Sequence, residues 1–182
     1  MMRHLYADLP VFLGLALVLI LVSYYLSFRT WRSMLLPVIV VVLGAVWTVG
    51  TMTLLGFKLS VVSVITPPLV LILGSSYSLH VLNQYYREAR VSGTDRRWIV
   101  DSVTHVNTTI FLAAITTVFG FVSLLSASLR QAREFGLATG IGIAYCALLA
   151  LFFLPAVLSR LSSPTPRQTD RVREGILARL LA

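Results

Sequence analysis

Between positions 9 and 86 the chain carries only three formally charged side chains, Arg29, Arg32 and Lys58. Nothing else in the sequence limits the fold as strongly. A water-soluble domain has roughly a quarter of its residues charged, and a run this apolar cannot be hidden in one core. The rest of the chain agrees. Of its 182 residues, 57% are hydrophobic and 12% are charged, and the mean hydropathy is +0.86. The sequence reads as an integral membrane protein. Its formal charge of +8 therefore reports topology and lipid contact rather than nucleic acid. A single cysteine, Cys146, excludes an internal disulfide and a Cys-rich metal site. It reads as a packing residue.

Five segments are long enough to cross about 30 Å of hydrocarbon at 1.5 Å per residue: 9–28, 35–55, 61–85, 107–127 and 136–158. The first is not a cleavable leader, because Arg29 and Arg32 follow it instead of a small-residue cleavage site. Between the third and fourth spans, "RRWIVDSVTHV" alternates basic and apolar residues at helical spacing. It predicts a helix along the cytoplasmic surface, with Trp98 as interfacial anchor. The expected fold is all-α, a polytopic transmembrane bundle of about five spanning helices plus a short cytoplasmic interfacial helix. The bundle occupies 9–161. The tail, 162–182, is polar and then amphipathic, with Val172, Ile176, Leu177 and Leu180 on one face.

The loops fall on alternate sides. One side holds Arg29, Arg32, Arg87, Arg90, Arg96, Arg97, Arg160 and the basic tail, and the other holds Arg3, Lys58, Arg130 and Arg133. The positive-inside rule places the richer side in the cytoplasm, with the N-terminus outside and the C-terminus inside a cell membrane. An outside start without a leader suggests a preceding span, and the amphipathic end suggests a continuation. The expectation is a segment of a larger protein or of an assembly.

The third span is the unusual one. "LGSSYSLH" and the residues after it place Ser76, His80 and Asn83 at i, i+4 and i+7, one stripe of a helix. Counted from Val61, Ser76 lies about 22 Å along, just past the middle. Pro67 and Pro68 upstream are expected to weaken or kink the helix. The next span offers Thr109, Thr116, Thr117 and Gly120, and the last offers Gly136, Gly140 and Gly142, a surface suited to close helix contact. Polar groups inside a bilayer face other helices or a wet cavity. For the serines and threonines, bonds to their own helix or to a neighbour satisfy that requirement. His80 needs a partner, and histidine is the side chain that most readily changes charge near neutral pH. Ser76 and His80 could be drawn as nucleophile and base, but no acidic orienter lies in a span. The motifs H-E-x-x-H and G-x-S-x-G are both absent. The sequence does not read as an enzyme, and it calls for no cofactor and no metal.

The order of features resembles one half of an RND-superfamily permease of the MMPL and Patched-like kind. The resemblance rests on "GSSYSLH" with its G-x-x-Y-x-x-H pattern, on "ITTVFGF", and on "REFGLATGIGI" followed by "FLPAVL". Together they are similar to the family's fourth, fifth and sixth helices. The resemblance covers about 9–161 and implies helices two to six of one half. The family's first helix and extracytoplasmic porter domain would precede it, and a second half would follow. It also implies membrane lipids, a hydrophobic substrate, the porter domain and the second half, or a second copy of the chain, as partners. Transport of lipid-like or hydrophobic compounds across or out of the inner membrane is the implied activity, with a non-transporting, sterol-sensing-like lipid module as the alternative. Many relatives place an aspartate in the fourth helix as a proton relay. The matching position here is Ser76, beside Tyr77. None of the seven acidic residues, Asp8, Glu88, Asp95, Asp101, Glu134, Asp170 and Glu174, falls inside an expected span. The polar band of Ser76, Tyr77, His80, Asn83, Thr116 and Thr117 thus occupies the relay's place without its carboxylate.

Overall fold

In the computed structural model the backbone is described over residues 2–28, 31–57, 63–91 and 97–160, and side chains over 11, 13–25, 35–57, 64–87 and 108–158. The described residues form helices without strands. In chain order these are α1 (Met2–Phe28), α2 (Trp31–Leu54), α3 (Thr66–Val91), α4 (Arg97–Val122), α5 (Arg130–Leu148) and α6 (Leu154–Arg160). Short 3-10 turns at Ser63–Ile65 and Ser123–Ser126 precede α3 and follow α4, and a π-helical turn, Leu149–Phe153, joins α5 to α6. Helices are what a bilayer demands, because each peptide group is satisfied within its own segment.

Among the described residues three stretches are long and apolar enough to cross a membrane: Leu35–Leu54, Thr108–Ser126 and Arg130–Leu158. A shorter apolar stretch, Leu13–Tyr25, lies in α1. The exception among the long helices is α3, whose serines, His80, Asn83 and Gln84 dilute its apolar residues. It is also the hub, touching α1, α2, α4 and α5, while α5 packs on α2, α3 and α4. The polar helix therefore has its neighbours around it rather than lipid on all sides.

Two boundaries differ from the sequence expectation. α3 starts at Thr66, so Pro67 and Pro68 open the helix instead of kinking it. In the first turn a missing N–H has no intrahelical partner to lose, and proline's fixed φ suits the start. Ser76 is then roughly 15 Å into the helix. The segment expected as a surface helix before the fourth span is helical and continuous with it. α4 runs without a break from Arg97 to Val122, with no glycine or proline before Gly120. The side chains of Trp98 and His105, the loop charges used for orientation apart from Arg87, Arg130 and Arg133, and the tail 162–182 lie outside the described residues.

The core follows from close approach. Val40, Val70, Leu82, Ile143, Cys146, Ala150 and Leu154 are fully buried. Cys146 Sγ lies 3.9 Å from the Val70 carbonyl, and a Cβ added to Gly44 would collide with that sulfur. At Gly74 the added Cβ would lie 2.6 Å from the same atom. One sulfur thus fills the space that two glycines leave, and α2, α3 and α5 meet there. On α1, Tyr24 is buried and donates from its hydroxyl to the Ser75 carbonyl of α3 at 2.7 Å. In the dense interior of a helix bundle, such contacts act through shape and dispersion.

Candidate functional site

The polar stripe of α3 opens onto a cleft of about 390 Å³ against α4. α3 lines it with Ser76, Tyr77, His80, Asn83, Gln84 and Arg87, and α4 with Thr109, Ile110 and Ala113. The stripe follows helical geometry: from Ser76, steps of four, three and four residues reach His80, Asn83 and Arg87. Ser76, His80, Asn83 and Arg87 are exposed, whereas Tyr77 is buried. The Tyr77 hydroxyl faces Thr117 of α4. Thr117 donates its own hydroxyl proton to the Ala113 carbonyl, 2.7 Å away. Tyr77 thereby closes the inner wall of the cleft.

The structure brings together Ser76, Tyr77, His80 and Asn83, and it adds Thr117 through Tyr77. Thr116 stands apart from the cleft lining. Its hydroxyl lies 3.0 Å from the Leu112 carbonyl and 2.9 Å from that of Ala113 on its own helix. Arg87 and Thr109 complete the cleft. Arg87 was read in the sequence as a topology charge, although one more helical step from Asn83 reaches it.

The four glycines separate into two groups. At Gly136 an added Cβ would run into the Phe121 carbonyl and lie 2.7 Å from Leu124 Cβ. At Gly142 it would lie 2.6 Å from both Thr48 Oγ1 and Val70 Cγ2. Gly140 is looser, with Val122 Cγ2 at 3.5 Å. Gly120 is a correction: it is exposed, and a Cβ there meets nothing within 4 Å, so it makes no close packing among the described residues. The side that Gly120 presents turns away from α3 and α5.

Chemically the cleft is rich in donors. Glu134 is the one acidic side chain described; it lies in the first turns of α5, paired with Arg130 at 2.6 Å, and takes no part in the cleft. Among the described residues no group of three or more His, Cys, Asp or Glu could hold a metal ion. Three polar atoms, Thr66 Oγ1, Ser78 Oγ and Thr139 Oγ1, are buried without a partner among the described residues. By contrast Thr48 donates to the Gly44 carbonyl at 2.6 Å.

A bundle of apolar helices around a polar hub, with a polar cleft along that hub, defines a polytopic α-helical membrane protein. The chain belongs to the MMPL family, which matches it over residues 3–179. It is similar to membrane protein MJ1562 of Methanocaldococcus jannaschii, 31% identical over 145 residues, covering 80% of this chain and 37% of the relative. The multidrug resistance protein MdtC of Pectobacterium atrosepticum is 24% identical over 179 residues, covering 97% of this chain and 17% of that protein. The human protein dispatched homolog 3 is 33% identical over 149 residues, covering 72% of this chain and 11% of that protein. The chain thus spans little more than a third, or less, of the relatives it matches.

Proposed function

We propose that this chain is the membrane-embedded part of an RND-type transporter that moves lipid-like or hydrophobic compounds across or out of a bacterial inner membrane. The observation that carries the reading is the family match over nearly the whole chain, 3–179. Similarity to a protein named for multidrug resistance supports the substrate class. Bundle helices would rock against partners that include a porter domain and a second set of membrane helices, supplied by a longer polypeptide or a second copy. The exposed small residues Thr116 and Gly120 in the far half of α4, with Ser123 in the turn that follows it, leave room for such a partner helix. Orientation follows the charge asymmetry, with the N-terminus outside and the C-terminus in the cytoplasm. Membership of the MMPL family and similarity to a multidrug resistance protein favour action by binding and movement over catalysis.

Expression in a bacterial host stripped of its efflux pumps tests the reading. Retention of a hydrophobic dye should fall several-fold when the full reading frame is expressed, and unchanged retention of a panel of hydrophobic compounds would refute transport. A second reading, a non-transporting lipid-sensing module, is favoured by one observation: among the described residues no carboxylate lines the cleft where a proton relay would sit. Proton flux into vesicles holding the assembled protein separates the two. Substrate-dependent flux supports transport, and its absence under every imposed gradient supports the sensing module. If His80 carries the coupled proton, His80→Ala abolishes that flux without lowering yield, because His80 is exposed.

A further inference from the structure

We propose that the α3–α4 cleft binds the phosphate-bearing headgroup of an anionic membrane lipid, with Arg87 as the charged clamp. Arg87 lies on the cleft lining, four residues before α3 ends at Val91. That places it near the end of a membrane-crossing rod, at the level where lipid headgroups lie. Its planar guanidinium presents a fork of donors that fits two oxygens of a phosphate at once. Asn83 stands one helical step deeper and His80 the next, so amide and ring N–H groups continue the donor row. Thr109 adds a hydroxyl from α4. Ile110 and Ala113 give the opposite wall an apolar surface for the first part of an acyl chain. From Ser76 to Arg87 the cleft runs roughly 16 Å along the helix axis, enough for a headgroup and a stretch of its tail. Among the described residues no acidic side chain lines the cleft, and Glu134 is held by Arg130 elsewhere. In the flanking segment 88–101, Arg90, Arg96 and Arg97 are balanced by Glu88, Asp95 and Asp101, so the attraction for an anionic headgroup rests on Arg87 itself.

The inference concerns binding and stands apart from transport, so a chain that holds lipid but moves nothing would leave it intact. The test uses the purified full chain in neutral detergent, titrated with dihexanoyl phosphatidylglycerol, dihexanoyl phosphatidylcholine or inorganic phosphate. Phosphatidylglycerol should bind at least tenfold more tightly than phosphatidylcholine. Arg87→Ala should lose at least tenfold of that affinity, Arg87→Lys should lose less, and Asn83→Ala about threefold. Arg130→Ala, whose charge lies outside the cleft, should leave it unchanged. The inference is overturned if Arg87→Ala binds within twofold of the parent chain, or if Arg130→Ala weakens binding equally, since surface charge alone would then suffice. If Arg87→Ala does not fold, Arg87→Lys and Asn83→Ala carry the test, and parent-like affinity in both overturns it. Inorganic phosphate binding as tightly as phosphatidylglycerol would make a free anion the ligand and overturn the lipid assignment. Binding at millimolar phosphate only, with the same dependence on Arg87, supports it.

Discussion

Gly44 and Cys146 form a lock whose parts can be exchanged. The sulfur stands where a Gly44 Cβ would go, whereas the Cys146 Cα and Cβ are each 3.6 Å from that position, an ordinary contact. Gly44→Ala should therefore destabilise the bundle by ~1–3 kcal/mol through overpacking. Adding Cys146→Ala should restore most of the loss, because it removes the one atom in the way. Thermal unfolding of the two single variants and the double variant in detergent gives the coupling. A double variant no more stable than Gly44→Ala would contradict the packing described. Gly142 and Gly120 make a second contrast. Gly142→Ala should cost ~1–3 kcal/mol against Thr48 and Val70, while Gly120→Ala should be neutral or gain up to ~1 kcal/mol of helix propensity. Equal losses at the two positions, read from melting temperatures, would show that Gly120 packs against something in the isolated chain.

Among the elements, the junction of α5 and α6 departs from a regular helix for a local reason. Pro155 has no N–H to give the Leu151 carbonyl, and the Leu154 N–H bonds the Leu149 carbonyl, five residues back. Pro155→Ala should allow the i to i−4 ladder to run through, slowing amide exchange across 150–156 by about tenfold or more. Exchange rates indistinguishable from the parent would assign the wider turn to packing instead. This turn had no signature beyond "FLPAVL", because a π turn depends on which carbonyl the next free N–H reaches. The helices themselves were legible, since long uncharged runs leave little alternative in lipid. Their ends were less so. Pro67 and Pro68 looked like a kink because the apolar run begins before them, yet proline fits the first turn of α3 without loss. Half of the cleft was legible as well: Ser76, His80 and Asn83 share a stripe whatever their neighbours are. Arg87 was masked by its own charge, which at the end of a span reads as topology. Gly44 and Gly74 could not be found in advance, because only the tertiary approach of Cys146 gives them a purpose.

For the whole molecule, Cys146 is useful in another way. It is the only cysteine in the sequence and is fully buried, so the folded parent chain should be silent to a membrane-impermeant maleimide. Lys58→Cys should label from outside intact cells, and Arg96→Cys only after the inner face is opened. Labelling of both from one side would overturn the orientation and, with it, the arrangement of spans. The hub position of α3 bears on how such a chain is made. Its serines, His80, Asn83 and Gln84 make it less apolar than its partners, whereas α2, α4 and α5 each contain or continue into a strongly apolar stretch. During synthesis the ribosome delivers α3 before α4 and α5 exist. The insertion machinery must therefore shelter a half-committed helix until its later neighbours arrive, and a nascent chain halted at Val91 should still have α3 on the aqueous side.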